Sequence, residues 1–134
     1  MSKTEMEELG KRAVACKHWR WMPGMLDAYG DRVLSVVVGK AGAEVTTDYL
    51  EWTGIAYMQT QQHGTWADDE RRHARPDLSD PATLGCLLAL VREAWGDVKY
   101  SEPMGGWYVF NKRFVGARYD TEAEALVAAL EAAP

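Results

Sequence analysis

A stretch of 134 residues is long enough for one domain with a proper hydrophobic core. Its 47% hydrophobic and 26% charged content is ordinary globular composition, which argues against a disordered chain. The formal charge of −5 argues against a general nucleic-acid binder, which carries a basic face, while six tryptophans point to core or binding surface.

The sequence opens without an apolar leader, and no run approaches membrane-spanning length. Cys16 and Cys86 sit in apolar contexts and read as reduced thiols rather than a disulfide. A single domain over 1–134 is therefore expected in the cytoplasm, with no membrane partner and no cofactor.

Residues 3–16 read as a helix. Thr4 with Glu7 has capping-box spacing, and Met6, Leu9, Ala13 and Cys16 recur at helical intervals. Met25 to Ala28 reads as extended, and Tyr29-Gly30-Asp31 as a turn. Arg32 to Val38 is a β-branched run whose near-continuous apolar character predicts a central strand covered on both faces. Gly39-Lys40-Ala41-Gly42 supplies a turn. Glu44 to about Thr60 is extended, with a break at Trp52-Thr53-Gly54. Gln61 to Asp80 is the least regular part, and a loop of that length is uncommon inside a compact domain.

The clearest helix spans about 80–95. Ser79 or Asp80 caps it, Pro81 suits its first position, and Leu84, Leu87, Leu88, Val91 and Trp95 line one face up to Gly96. Val98 to Ser101, Trp107 to Phe110 and Phe114 to Tyr119 read as strands, with Asn111-Lys112 as a turn. The last helix, about 121–132, starts at Thr121 with Glu124 in capping-box position and buries Ala123, Leu126, Val127 and Leu130. This order predicts an α+β fold: a mainly antiparallel sheet with N-terminal, central and C-terminal helices packed on it.

No Gly-rich phosphate loop, nucleophile elbow or HExxH motif is present, so no enzyme is predicted. Cys16 with His18, or His63 and His73 around Asp68, Asp69 and Glu70, lack the spacing of a zinc site. The carboxylates lie beside Arg71, Arg72 and Arg75, and read as self-neutralising surface rather than acid/base machinery. The concentrated chemistry is in Lys17-His18-Trp19-Arg20-Trp21-Met22-Pro23-Gly24-Met25. Strand alternation would put Trp19 and Trp21 on one face and Arg20 and Met22 on the other. Tryptophan stacks on bases for about 1–3 kcal/mol each, and arginine offers phosphate a planar fork. Arg12, Lys17, Trp19, Arg20, Trp21 and Met22 are thus the candidate ligand-binding residues, and the competing reading makes both tryptophans core.

Arg12 to Cys16 leading into Trp19-Arg20-Trp21-Met22-Pro23-Gly24-Met25, with the 76–96 segment containing Asp80-Pro81-Ala82-Thr83-Leu84-Gly85-Cys86 and the closing 121–131 segment, resembles a group of small proteins encoded by tailed bacteriophages. These segments cover somewhat under half of the chain, and the group offers no activity to carry over. Gly10-Lys11-Arg12 followed by a Trp and then Gly24-Met25 is similar to the opening of some phage anti-defence sponge proteins, with spacing that departs by about one residue. That likeness implies sequestration of a cyclic-nucleotide immune signal by a homo-oligomer in the host cytoplasm. The expectation is a non-enzymatic binder of a small nucleotide-like anion. The alternative is a phage protein-interaction module, acting through the 61–80 segment or an acidic face.

Overall fold

The computed structural model describes residues 1–39, 42–52, 57–65, 75–101 and 106–134, with side chains described over 1–36, 75–101 and 106–134. The expected turn at Lys40-Ala41, the break at Thr53-Gly54 and the turn at 102–105 lie outside the described residues, as do residues 66–74. Among those described are α1 (Lys3–Ala15), β1 (Arg32–Gly39), β2 (Gly42–Trp52), β3 (Tyr57–Thr65), α2 (Pro81–Trp95), β4 (Lys99–Ser101), β5 (Tyr108–Phe110) and α3 (Glu122–Glu131). This is an α+β fold with antiparallel strands and the three expected helices. The chain forms two compact units, Met1–Arg20 with Leu78–Pro134, and Trp21–Asp77.

In the first unit α1 begins at Lys3, as the sequence predicts, but its cap lies two residues earlier than expected. Ser2, not Thr4, is the cap: its hydroxyl accepts from Glu5 N–H at 3.1 Å, and Glu5 Oε2 accepts from Ser2 N–H at 2.6 Å. Ser2-Lys3-Thr4-Glu5 has the same capping-box spacing as Thr4 with Glu7, and the cap at Ser2 lets Met6 N–H bond to Ser2 O. Leu9, Gly10 and Ala13 form the buried stripe, while Met6 and Cys16 are half-buried.

Asp80 caps α2, its carboxylate accepting from both the amide and the hydroxyl of Thr83 at 2.9 Å. Gly96 ends it at φ +88°, a conformation that costs a side-chain-bearing residue strain. The deepest positions are Thr83, Leu87, Leu90 and Val91, so the face is turned from the expected one: Leu84, Leu88 and Trp95 are half-buried. Thr83 can take a buried place because Asp80 satisfies its hydroxyl.

α3 is the centre of this unit. Thr121 caps it, with its hydroxyl on Glu124 N–H at 3.2 Å, and six of its residues are buried: Ala123, Ala125, Leu126, Val127, Ala129 and Leu130. It packs on α1, α2 and β5. Trp95 Nε1 donates to Ala129 O at 2.8 Å, tying α2 to it.

β4 and β5 pair antiparallel, Lys99 opposite Phe110 and Ser101 opposite Tyr108. The expected third strand, Phe114 to Tyr119, is reduced to two isolated bridges, Phe110 with Val115 and Trp107 with Tyr119. Between them the register slips by one residue around Gly116, so no continuous ladder forms.

The second unit holds the sheet β1-β2-β3, antiparallel throughout. The expected central strand, β1, is instead an outer strand of the described sheet, and β2 is central. Its register slips between Val33 and Ser35, a bulge that leaves the consecutive residues Leu34 and Ser35 exposed while Val33 is buried. Gln61 to Thr65, expected to be irregular, completes β3. Ahead of the sheet, Met22-Pro23-Gly24-Met25 forms a turn with Gly24 at φ +97° and Met25 N–H on Met22 O at 3.2 Å. Buried Asp27 organises the next turn by accepting from Tyr29 and Asp31 N–H at 2.9 Å.

Candidate functional site

The six residues singled out by the sequence do not form one site. Residues 19–22 are in no strand, and the two units divide between Arg20 and Trp21. Trp21 is only 9% exposed and counts as core rather than a stacking platform, and Met22 is half-buried. Trp19 is half-buried and follows α1 through a turn over Lys17 and His18, with its N–H on Cys16 O at 3.0 Å.

The two arginine forks are already occupied. Arg20 donates through both terminal nitrogens to the carboxylate of Glu93 on α2, one of these bonds at 2.6 Å. That contact holds the Glu93 carboxyl below its usual range. Arg12 Nε and Nη2 donate to the two oxygens of Glu131 at 3.2 and 2.5 Å, bridging α1 to α3. A phosphate approaching either guanidinium competes with a bidentate carboxylate already in place.

The fold nevertheless brings two of the six to one concavity. Arg12 and Lys17, with Ala15, Cys16, Leu130, Glu131 and Ala133, line a hollow of about 450 Å³ on the first unit. Lys17 is exposed there, and has no ion-pair or hydrogen-bond partner among the described residues. Burial pushes the Cys16 thiol up, which disfavours its thiolate form. A second hollow, lined by Met1, Glu5, Glu8, Arg12, Asp120 and Glu124 among others, is rich in carboxylates and unsuited to an anion.

Sequence reasoning passed over a third hollow, of about 560 Å³, lined by Asp97, Lys99, Phe110, Asn111, Lys112 and Arg113. Antiparallel pairing of β4 with β5 sets Lys99 beside Phe110 on one face, a register that the sequence of two three-residue strands does not carry. Asn111 was expected to be only a turn. Its Oδ1 accepts from Arg113 and Phe114 N–H at 2.8 Å, while its Nδ2 donates to Trp95 O at 3.0 Å.

Cys16 and Cys86 are free thiols. Among the described residues no group of three or more His, Cys, Asp or Glu is placed to hold a metal, and no helix is long and apolar enough to cross a membrane. Asp68, Asp69, Glu70 and His73 lie outside the described residues, as does the side chain of His63. No protein-family model, curated protein or solved structure matches this chain.

Proposed function

We propose that this is a non-enzymatic phage accessory protein that binds a small nucleotide-derived anion in the host cytoplasm. By sequestering such an immune signal it antagonises anti-phage defence, acting as a homo-oligomer. One observation carries the reading: Lys17, without a partner among the described residues, lines the hollow where α1 ends together with Arg12, two residues before the half-exposed Trp19. Lys17 supplies the free charge, Trp19 a ring face close in the chain, and Arg12 a second cation shared with Glu131. The phage setting comes from the sequence resemblance.

The test is to purify the protein from a bacterial host, denature it gently and identify the released small molecules by mass spectrometry. A stoichiometric nucleotide that is lost in a folded Lys17→Glu variant is the expected result. An empty protein that also shows no thermal shift across cyclic and linear nucleotides overturns the reading. A second reading, a protein-interaction module with no small ligand, is favoured by the engagement of Arg20 with Glu93 together with the burial of Trp21. Affinity capture from infected cells, with a variant at Arg20 as the control, tests it.

A further inference from the structure

We propose that the hollow beside the β4–β5 hairpin is a second binding site, for a small molecule that joins one aromatic ring to one anionic group. It is separate from the Lys17 hollow and does not rest on the reading given above.

The ring half of the argument begins with Phe110. It lines the hollow half-buried and stacks on Tyr108 with ring centroids 5.1 Å apart. Backed by a second ring, its outer face presents a flat apolar surface to a planar ligand, and aromatic pairs prefer such offset stacking. The anion half comes from Lys99 and Lys112, which line the same hollow from β4 and from the turn after β5. Both are exposed, and neither has an ion-pair or hydrogen-bond partner among the described residues. In this respect they differ from Arg12 and Arg20, whose charges carboxylates already satisfy.

The frame around them is fixed. Arg113 lies over the Trp95 ring at 5.5 Å and donates to Trp95 O at 3.3 Å, and Trp95 stacks on Phe114 at 4.7 Å. Asn111 spends its whole carboxamide on the turn and on the same Trp95 carbonyl. The turn carrying Lys112 is thereby anchored to the end of α2, which lowers the ordering cost of binding. Three cations stand against one carboxylate, Asp97, in a chain whose net charge is −5. Asp97 itself faces Arg92, 3.7 Å away. The local sign is therefore opposite to that of the whole molecule, and charge-assisted bonds from two ammonium groups select an anion. An aryl phosphate and a nucleoside monophosphate share the required chemistry.

Amide chemical-shift mapping on the whole protein tests the site, with phenyl phosphate, adenosine monophosphate and inorganic phosphate as probes. Phenyl phosphate is expected to shift the amides of Lys99 and Phe110 to Arg113 together with the Trp95 indole, and to bind at least about tenfold more tightly than inorganic phosphate. Lys99→Ala with Lys112→Ala, both exposed and thus compatible with folding, is expected to weaken it about tenfold or more. Phe110→Leu is expected to bring aryl and inorganic phosphate to equal affinity. Adenosine monophosphate binding more tightly than phenyl phosphate assigns the ligand to the nucleotides, and the reverse order to simpler aryl anions. The proposal is overturned if no probe shifts these amides, if inorganic phosphate binds as well as phenyl phosphate, or if the double lysine variant binds unchanged.

Discussion

Two tryptophans separated by one residue have different surroundings here. Trp19 is half-buried near the end of the first unit's N-terminal piece, while Trp21, the first residue of the second unit, is 9% exposed. The sequence made the chemistry of this stretch legible but not its exposure. Alternation predicts a shared face only if the residues lie in a strand, and they do not. The arginines taught the same lesson, since Glu93 and Glu131 lie 73 and 119 residues away along the chain and no local pattern links them to Arg20 and Arg12. Trp21→Ala is expected to destabilise the protein by about 3–5 kcal/mol, the usual cost of emptying a buried aromatic site. Lys17→Ala, at an exposed position, should stay within about 0.5 kcal/mol. Urea denaturation followed by circular dichroism compares the two. Equal, small effects would mean that Trp21 is not core, and would return it to the candidate binding residues.

At the scale of elements the helices were readable because their ends carry chemistry. Asp80, Pro81 and Gly96 bracket α2, and Thr121 with Glu124 opens α3, each where its side chain meets orphan amides or its backbone takes a left-handed turn. The strands were less readable for a physical reason. β1 has the apolar run of a covered strand, yet a bulge at its start and an outer place in the described sheet put Leu34 and Ser35 in solvent. Edge or centre depends on pairing with β2 and β3, which one strand's composition does not encode. Gln61 to Thr65 joins β3 despite its polar sequence, because pairing with Glu44 to Asp48 satisfies its backbone. Of the two ends of α2, the N-cap is the more informative to break. Asp80→Ala removes two acceptor contacts at once and leaves the hydroxyl of Thr83, which is fully buried, without that partner. A loss of about 1–2 kcal/mol is expected, toward the upper end for a cap. Asp80→Asn, which keeps an acceptor oxygen, should recover most of it. Thermal melts of the three proteins decide the matter: if Asp80→Ala melts with the wild type, the cap does not hold α2.

The first unit is built from two separated pieces of chain, Met1–Arg20 and Leu78–Pro134. α1 alone comes from the first piece, and its buried stripe of Leu9, Gly10 and Ala13 belongs to a helix that packs on α3. α3 is apolar over most of its circumference, with Ala125 and Ala129 buried as well as the four residues expected. A helix buried on so many sides needs neighbours on all of them, and α2 with β5 covers only part of that surface. Removing α1 would expose apolar area on both α1 and α3, at about 25 cal/mol for each Å², against a total stability of only about 5–15 kcal/mol for a domain. The Arg12–Glu131 bridge is lost too, although an exposed ion pair adds at most about 1 kcal/mol. A fragment of residues 78–134 is therefore expected to show a broad, non-cooperative melt and weak amide protection in α3. Adding a peptide of residues 1–20 in trans should restore a sharper transition whose midpoint rises with peptide concentration, since a partner that binds only the folded form stabilises it by mass action. Leu9→Asp in that peptide should abolish the effect, while Lys11→Ala, on the exposed side of α1, should not. If 78–134 melts as sharply as the whole chain, α1 is an accessory to this unit rather than part of its core.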